Sequence, residues 1–150
     1  IPEGPKPHSR VRFLSYLVDT NVLSELRRRE PDPRVVEWFR QRPSTTLFLS
    51  VLTLGEIRKG VGLAPDGKRK LQLLDWLEVQ LPKYFAGRIL TIDAAVADRW
   101  GQLQAAAPGP VAAVDSLLAA TALHHGLRMV TRNTRDFGFP ELEVVDPWGD

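Results

Sequence analysis

The tightest constraint on this chain is the junction Tyr16-Leu17-Val18-Asp19-Thr20-Asn21, where a short apolar run ends in a carboxylate and passes straight into helix-start residues. The β-favouring residues at 16–18 predict a buried strand, and Thr20, Asn21 and Ser24 are side chains that open helices. A strand that hands over to a helix in this way belongs to an α/β layer. Asp19 then stands at the strand's carboxyl end, the edge where open α/β sheets bind ligands. It has a second reading, as a helix N-cap at the positive end of the dipole. On this stretch alone the two readings weigh equally.

The same alternation continues to the end of the chain. A helix over Leu23–Arg29 is stopped by Glu30-Pro31-Asp32-Pro33, and Pro33 opens a second with Val35, Val36 and Phe39 inward. A strand at Leu47–Ser50 leads into a helix over Val51–Val61 that carries Glu56, and a loop follows from Gly62 to Gly67. Lys68–Leu81 is expected as one long helix that Pro82 ends. Strands at Arg88–Ile92, Leu127–Thr131 and Leu142–Val145 enclose a helix capped by Asp93 and an alanine-rich helix from Val111 to Gly126. Strands alternating with helices predict a three-layer α/β/α sandwich with a mainly parallel sheet. Trp38 and Trp76 are open between core and partner surface.

At 150 residues the chain is long enough for one sizeable core, so residues 15–150 are expected to form a single domain. The Pro-rich opening, 1–14, is expected to be a flexible leader or an appended remnant. With 43% hydrophobic and 25% charged residues the chain has the composition of an ordinary soluble protein. A net charge of +2 leaves any nucleic-acid affinity to local patches such as Arg27-Arg28-Arg29 and Lys68-Arg69-Lys70. The absence of cysteine excludes disulfides, thiolate zinc sites and cysteine nucleophiles, and suits a reducing cytoplasm. No run approaches the length of a membrane span.

Three more acids share the placement of Asp19. Glu56 lies about one and a half turns into the helix after the second strand, Asp115 near the start of the alanine-rich helix, and Asp136 beyond the strand ending at Thr131. Asp115 is the most telling, because Ala112–Val114 and Leu117–Ala119 predict a buried helix and no basic residue lies within a turn to pair it. Converging carboxylates raise one another's pKa values unless a cation neutralises them. Hard oxygen donors without cysteine or a usable histidine pair point to Mg²⁺ or Mn²⁺ rather than zinc. His124 and His125 are adjacent, diverge on a helix, and read as polar residues at its C-terminus. An acidic pocket of this kind suits phosphodiester hydrolysis.

Four motifs in this order resemble PIN-domain ribonucleases, especially toxins of the VapC type: Leu17–Glu25, Leu49–Ile57, Asp115–Ala122 and Val130–Phe137. The resemblance implies a PIN-like α/β/α fold and an Mg²⁺-dependent endoribonuclease, the toxin of a type II toxin–antitoxin system. It also implies a VapB-type antitoxin as partner, and a homodimer or a larger assembly with it. By motif, Asp19 and Asp115 correspond to the principal metal ligands, and Glu56 ligates or acts through water. Asn21 and Thr131 correspond to the polar groups that hold Asp19 and the scissile phosphate. Asn133 and Asp136 divide the fourth acidic position, and an asparagine facing the metal favours one ion over two. Arg132 is open to two readings, a phosphate contact or an exposed ion pair.

RNA would track Arg27, Arg28, Arg58, Lys59 and Arg132. Two other classes remain to be weighed. One is a non-catalytic RNA- or protein-binding module in which Asp19 is only a cap. The other is a hydrolase of small phosphates, disfavoured because no Asp-x-Asp nucleophile surrounds Asp19.

Overall fold

The computed structural model describes residues 1–6 and 14–149. Residues 7–13 of the expected leader lie outside the described residues, as does Asp150. Five strands, β1 (Tyr16–Val18), β2 (Leu47–Ser50), β3 (Ile89–Leu90), β4 (Arg128–Val130) and β5 (Val144–Val145), form one sheet in the order β3-β2-β1-β4-β5. Every pairing is parallel.

The pleat sorts the strand residues into two cores. Tyr16 and Val18 of β1 and Val130 of β4 face one side, and Leu17 and Met129 face the other. The first core is closed by α1 (Thr20–Leu26), α2 (Pro33–Arg40), α3 (Val51–Leu63) and a helical run through residues 68–84, supplying among others Val22, Phe39, Ile57, Trp76 and Leu81. The second is closed by α6 (Ala94–Ala106) and α7 (Ala113–His124) through Val96, Leu103 and Leu118–Ala120. Trp38 and Trp76 both belong to the first core, exposed by only 7% and 6%.

This division follows from handedness. The chain moves outward from β1 to β2 to β3, then crosses back to β4 on the other side of β1. Right-handed crossovers in opposite directions must place their helices on opposite faces. The reversal leaves a crevice between the carboxyl ends of β1 and β4, the position at which doubly wound sheets bind ligands. Asp19 follows β1 and Thr131 follows β4, so both stand at that crevice.

The strands after β2 are shorter than expected, and the helices differ from expectation in three places. The first helix begins at Thr20 rather than Leu23, because Asp19 caps it directly. Pro82 does not end the long helix. Instead α4 (Lys68–Asp75) passes through a π-helical turn at Trp76–Gln80 into α5 (Leu81–Tyr84), and the Leu81 N–H reaches back five residues to the Trp76 carbonyl. A proline ring clashes with the carbonyl four residues before it, here that of Glu78, and the wider turn makes room. The first turn of α7 is also less buried than its alanine-rich sequence implies, since Ala112 and Ala113 are exposed and Val114 is 41% exposed. Gly126 stops the segment as expected, at φ 67°.

Candidate functional site

Asp19 caps α1 with one carboxylate oxygen and joins the sheet edge with the other. Its Oδ1 accepts from Thr20 N at 2.8 Å, and its Oδ2 accepts from Thr131 Oγ1 at 2.8 Å and Asn21 Nδ2 at 3.4 Å. The Asp19 amide donates to the Val130 carbonyl at 2.9 Å, which extends the β1–β4 ladder by one step. Asn21 closes the network, since its Nδ2 also donates to Thr131 Oγ1 at 3.3 Å and its Oδ1 accepts from the Arg132 amide at 3.2 Å. The side chain is thus a cap and also a rigid acceptor at the crevice. Burial to 8% exposure raises its pKa, the bonds from Thr131 and Thr20 pull it back, and the charge of Asp136 raises it again.

The other predicted acids gather around it from both helical layers. Glu56 comes from α3 on one side of the sheet and Asp115 from α7 on the other. Desolvation raises the Glu56 pKa first, then the charge of Asp19, with Asp115 adding further; the Thr20 hydroxyl and Lys59 act the other way. Asp115 is half-buried, and its pKa is raised by desolvation, then by the charges of Asp136 and Asp19. Asp136 lies exposed in a 3-10 turn, Thr134–Phe137, which β4 and the loop after it project over the same edge. Asn133 contributes through its backbone, whose N–H donates to Thr131 Oγ1 at 3.1 Å. The charge of Asp136 raises the pKa of both Asp19 and Asp115.

This donor set is short of positive charge. Among the described residues, the one side-chain cation that lowers the pKa of Asp19, Glu56 or Asp115 is Lys59, acting on Glu56. Oxygen donors with uncompensated charge fit a hard divalent cation that retains part of its water shell. No three acidic or histidine side chains among the described residues close into a ready-made cage for a metal.

The predicted basic residues are less concentrated. Arg28 pairs with the buried Glu25 at 3.2 Å, Arg58 with Glu78 at 3.0 Å, and Arg27 lies 4.5 Å over the Trp76 ring. Arg132 stacks 4.9 Å over Trp148; the Asp32 carboxyl nearby is held down to about 2 by hydrogen bonds from Arg34, with the charge of Arg132 the smallest contribution. Lys59 and Arg132 are the two that remain at the rim. Away from the crevice, Leu23, Leu26, Arg27, Leu71 and Trp76 line a hollow of about 640 Å³ into which Ile1 also reaches.

Residues 16–143 match the PIN domain family. The chain belongs to it. This PIN domain is 40% identical over 137 residues to the toxin FitB of Neisseria gonorrhoeae, spanning 89% of this chain and 99% of that protein. It is 36% identical over 135 residues to the VapC ribonuclease Y4jK of Sinorhizobium fredii, spanning 88% and 96% respectively. The crystal structure of FitAcB from Neisseria gonorrhoeae superposes with a TM-score of 0.82 at 40% identity, covering 89% of this chain and 98% of that one.

Sequence reasoning on this PIN domain missed the groups that support the acids. Thr20 sits inside the first motif and Ser116 inside the third, yet nothing in a single sequence marks a hydroxyl as facing Glu56 or as bonded to Trp100. Trp148, which backs Arg132, lies beyond the last motif and carries no periodic signal. Among the described residues no helix is long and apolar enough to cross a membrane.

Proposed function

We propose that this PIN domain is a divalent-metal-dependent endoribonuclease and the toxin of a type II toxin–antitoxin pair. The observation that carries the reading is the mutual influence of the acids at the β1–β4 crevice, where the pKa values of Asp19, Glu56 and Asp115 are pushed upward, in part by one another and by the charge of Asp136, with little positive charge to balance them. Asp19 and Asp115 would hold Mg²⁺, or Mn²⁺ in its place, while Glu56 and Asp136 act through water. Few protein ligands are needed, because Mg²⁺ keeps waters and takes substrate phosphate as a ligand. When bound, the cation supplies Lewis acidity, making water a stronger nucleophile near neutral pH and drawing charge from the phosphate.

The chain's own residues do the rest. Thr131, Asn21 and the Thr20 amide fix the Asp19 carboxylate so that it does not reorganise as charge develops. The raised pKa of Glu56 suits its carboxylate to accept a proton from the attacking water. Arg132, steadied on Trp148, presents a guanidinium to the RNA backbone at the rim. The hollow beside α1 and α4 sets Leu71, 66% exposed, among Arg27, Lys68, Gln72 and Gln80, a mixed lining that suits an amphipathic segment of the antitoxin.

The test is cleavage of total cellular RNA by the purified chain with Mg²⁺, with Mn²⁺ and with EDTA, beside the Asp115→Asn variant. Discrete fragments that vanish with EDTA and with the variant support the reading. Equal cleavage by parent and variant, or a folded protein that neither cleaves RNA nor binds Mn²⁺, overturns it in favour of a binding module.

A further inference from the structure

Asp115 stands in the first turn of α7, and that turn begins without the support the other helices at the site enjoy. Helix α1 is capped by the Asp19 side chain and α3 by Ser50 Oγ, which accepts from Leu52 N at 3.0 Å. The N-cap of α7 is Ala112, which has no side-chain oxygen to offer its free amides. The chain before it, Pro108-Gly109-Pro110, is exposed, and so are Ala112, Ala113 and Val114. A carboxylate on such a turn would wander with it.

One buried hydroxyl braces this turn from within, meeting its carbonyls rather than the free amides that a cap would satisfy. Ser116 is fully buried, and its Oγ donates to the carbonyls of Ala112 at 2.7 Å and Ala113 at 3.0 Å. That bond ties the helix start to its own first turn but does not anchor either to the rest of the protein. The anchor is Trp100 of α6, whose Nε1 donates to Ser116 Oγ at 2.9 Å. The indole itself, half-buried, packs against the second core to which Val96 and Leu103 of the same helix belong. A rigid ring thus fixes the hydroxyl, the hydroxyl fixes two carbonyls, and the turn between them bears Asp115.

We propose that Trp100 is a positioning residue for the site: through Ser116 it sets where the first turn of α7, and with it the Asp115 carboxylate, stands relative to Asp19. This rests on the metal-dependent reading above. Outer partners that orient a ligand typically cost tenfold or more in metal affinity when removed.

Trp100→Phe keeps the ring and deletes the donor, and Leu103→Ala loosens the same α6–α7 interface without touching the bond. Mn²⁺ affinity by calorimetry and amide exchange at Ser116 in metal-free protein are measured for both, and for Ser116→Ala and the double variant Trp100→Phe/Ser116→Ala. The expected result is Mn²⁺ binding weaker by about tenfold in Trp100→Phe, with faster exchange at Ser116, and no further loss of affinity in the double variant beyond Ser116→Ala. Leu103→Ala is expected to lower the melting temperature while keeping Mn²⁺ affinity within about twofold of the parent, because cavity formation acts on stability. Parent-like Mn²⁺ affinity in Trp100→Phe, or an equal loss in Leu103→Ala, overturns the proposal. So does full additivity in the double variant. If the parent itself binds no Mn²⁺, the metal reading fails, and exchange at Ser116 alone decides whether Trp100 holds the turn.

Discussion

Thr131 shows how much a single hydroxyl carries at this crevice. Its Oγ1 donates to Asp19 Oδ2 and accepts from Asn21 Nδ2 and the Asn133 amide, so one atom links β4, α1 and the turn bearing Asp136. Thr131→Val preserves shape but removes three hydrogen bonds at once, stranding the Asn133 amide and leaving Asp19 Oδ2 and Asn21 Nδ2 only their long 3.4 Å bond to each other. Urea unfolding should show a loss of about 1–3 kcal/mol, the usual cost of stranding buried polar groups, with Thr131→Ser restoring most of it. The carboxylates make a prediction of opposite sign. The pKa of Asp115 is raised above 3.8 by desolvation and by its acidic neighbours, so the folded protein holds that proton more tightly than the unfolded chain does. Stability then falls as pH rises from the unfolded pKa through the folded one. Melting temperatures of the metal-free protein should therefore rise as the pH is lowered from neutrality through the raised folded pKa toward the unfolded one, as far as these groups contribute. Asp115→Asn, which cannot ionise, should melt above the parent at neutral pH without metal and should gain less from added Mn²⁺.

At the scale of the elements, Arg88 closes the turn into β3. Its guanidinium gathers the carbonyls of Ser44, Leu47 and Tyr84, joining the approach to β2 to the end of α5, and burial lowers its pKa. Arg88→Ala should destabilise the fold by about 2–4 kcal/mol in equilibrium unfolding, because three charge-assisted bonds disappear together and buried carbonyls are left open. The Arg88 role was not legible in the sequence, since its partners lie 4 to 44 residues away. What was legible is local. The alternation of strands and helices, the Asp19 and Asp93 caps, Pro33 at the start of α2 and the Gly126 stop all depend on neighbouring residues and stand where expected. The π turn was missed because Pro82 ordinarily ends a helix, and only packing of Trp76, Leu77 and Leu81 into the core repays the wider turn. The acids stood out as candidates because Asp19, Asp115 and Asp136 follow a strand or open a helix and Glu56 lies about one and a half turns into α3. Their closeness was inferred from topology, and the groups that orient them, Thr20, Ser116 and Trp100, act through contacts no single sequence displays.

For the molecule as a whole, the site lies where two helical layers meet at one edge of the sheet, with Glu56 from one layer and Asp115 from the other. On the proposed metal-dependent reading a cation held between them would couple those layers, so Mn²⁺ at about 100 times its dissociation constant should add about 2.7 kcal/mol of stability, read as a concentration-dependent rise in melting temperature that EDTA reverses. Parent protein whose melting ignores Mn²⁺ would contradict this. The sheet has one more consequence. Its two outer strands, β3 and β5, are two residues long. A visiting peptide that docks by adding a strand needs a row of free main-chain groups, and these margins offer almost none. Recognition of this protein must therefore be written in side chains on its helices, a language that substitution can edit one letter at a time. Two such toxins in one cell could diverge in partner choice while every strand of the scaffold stayed the same.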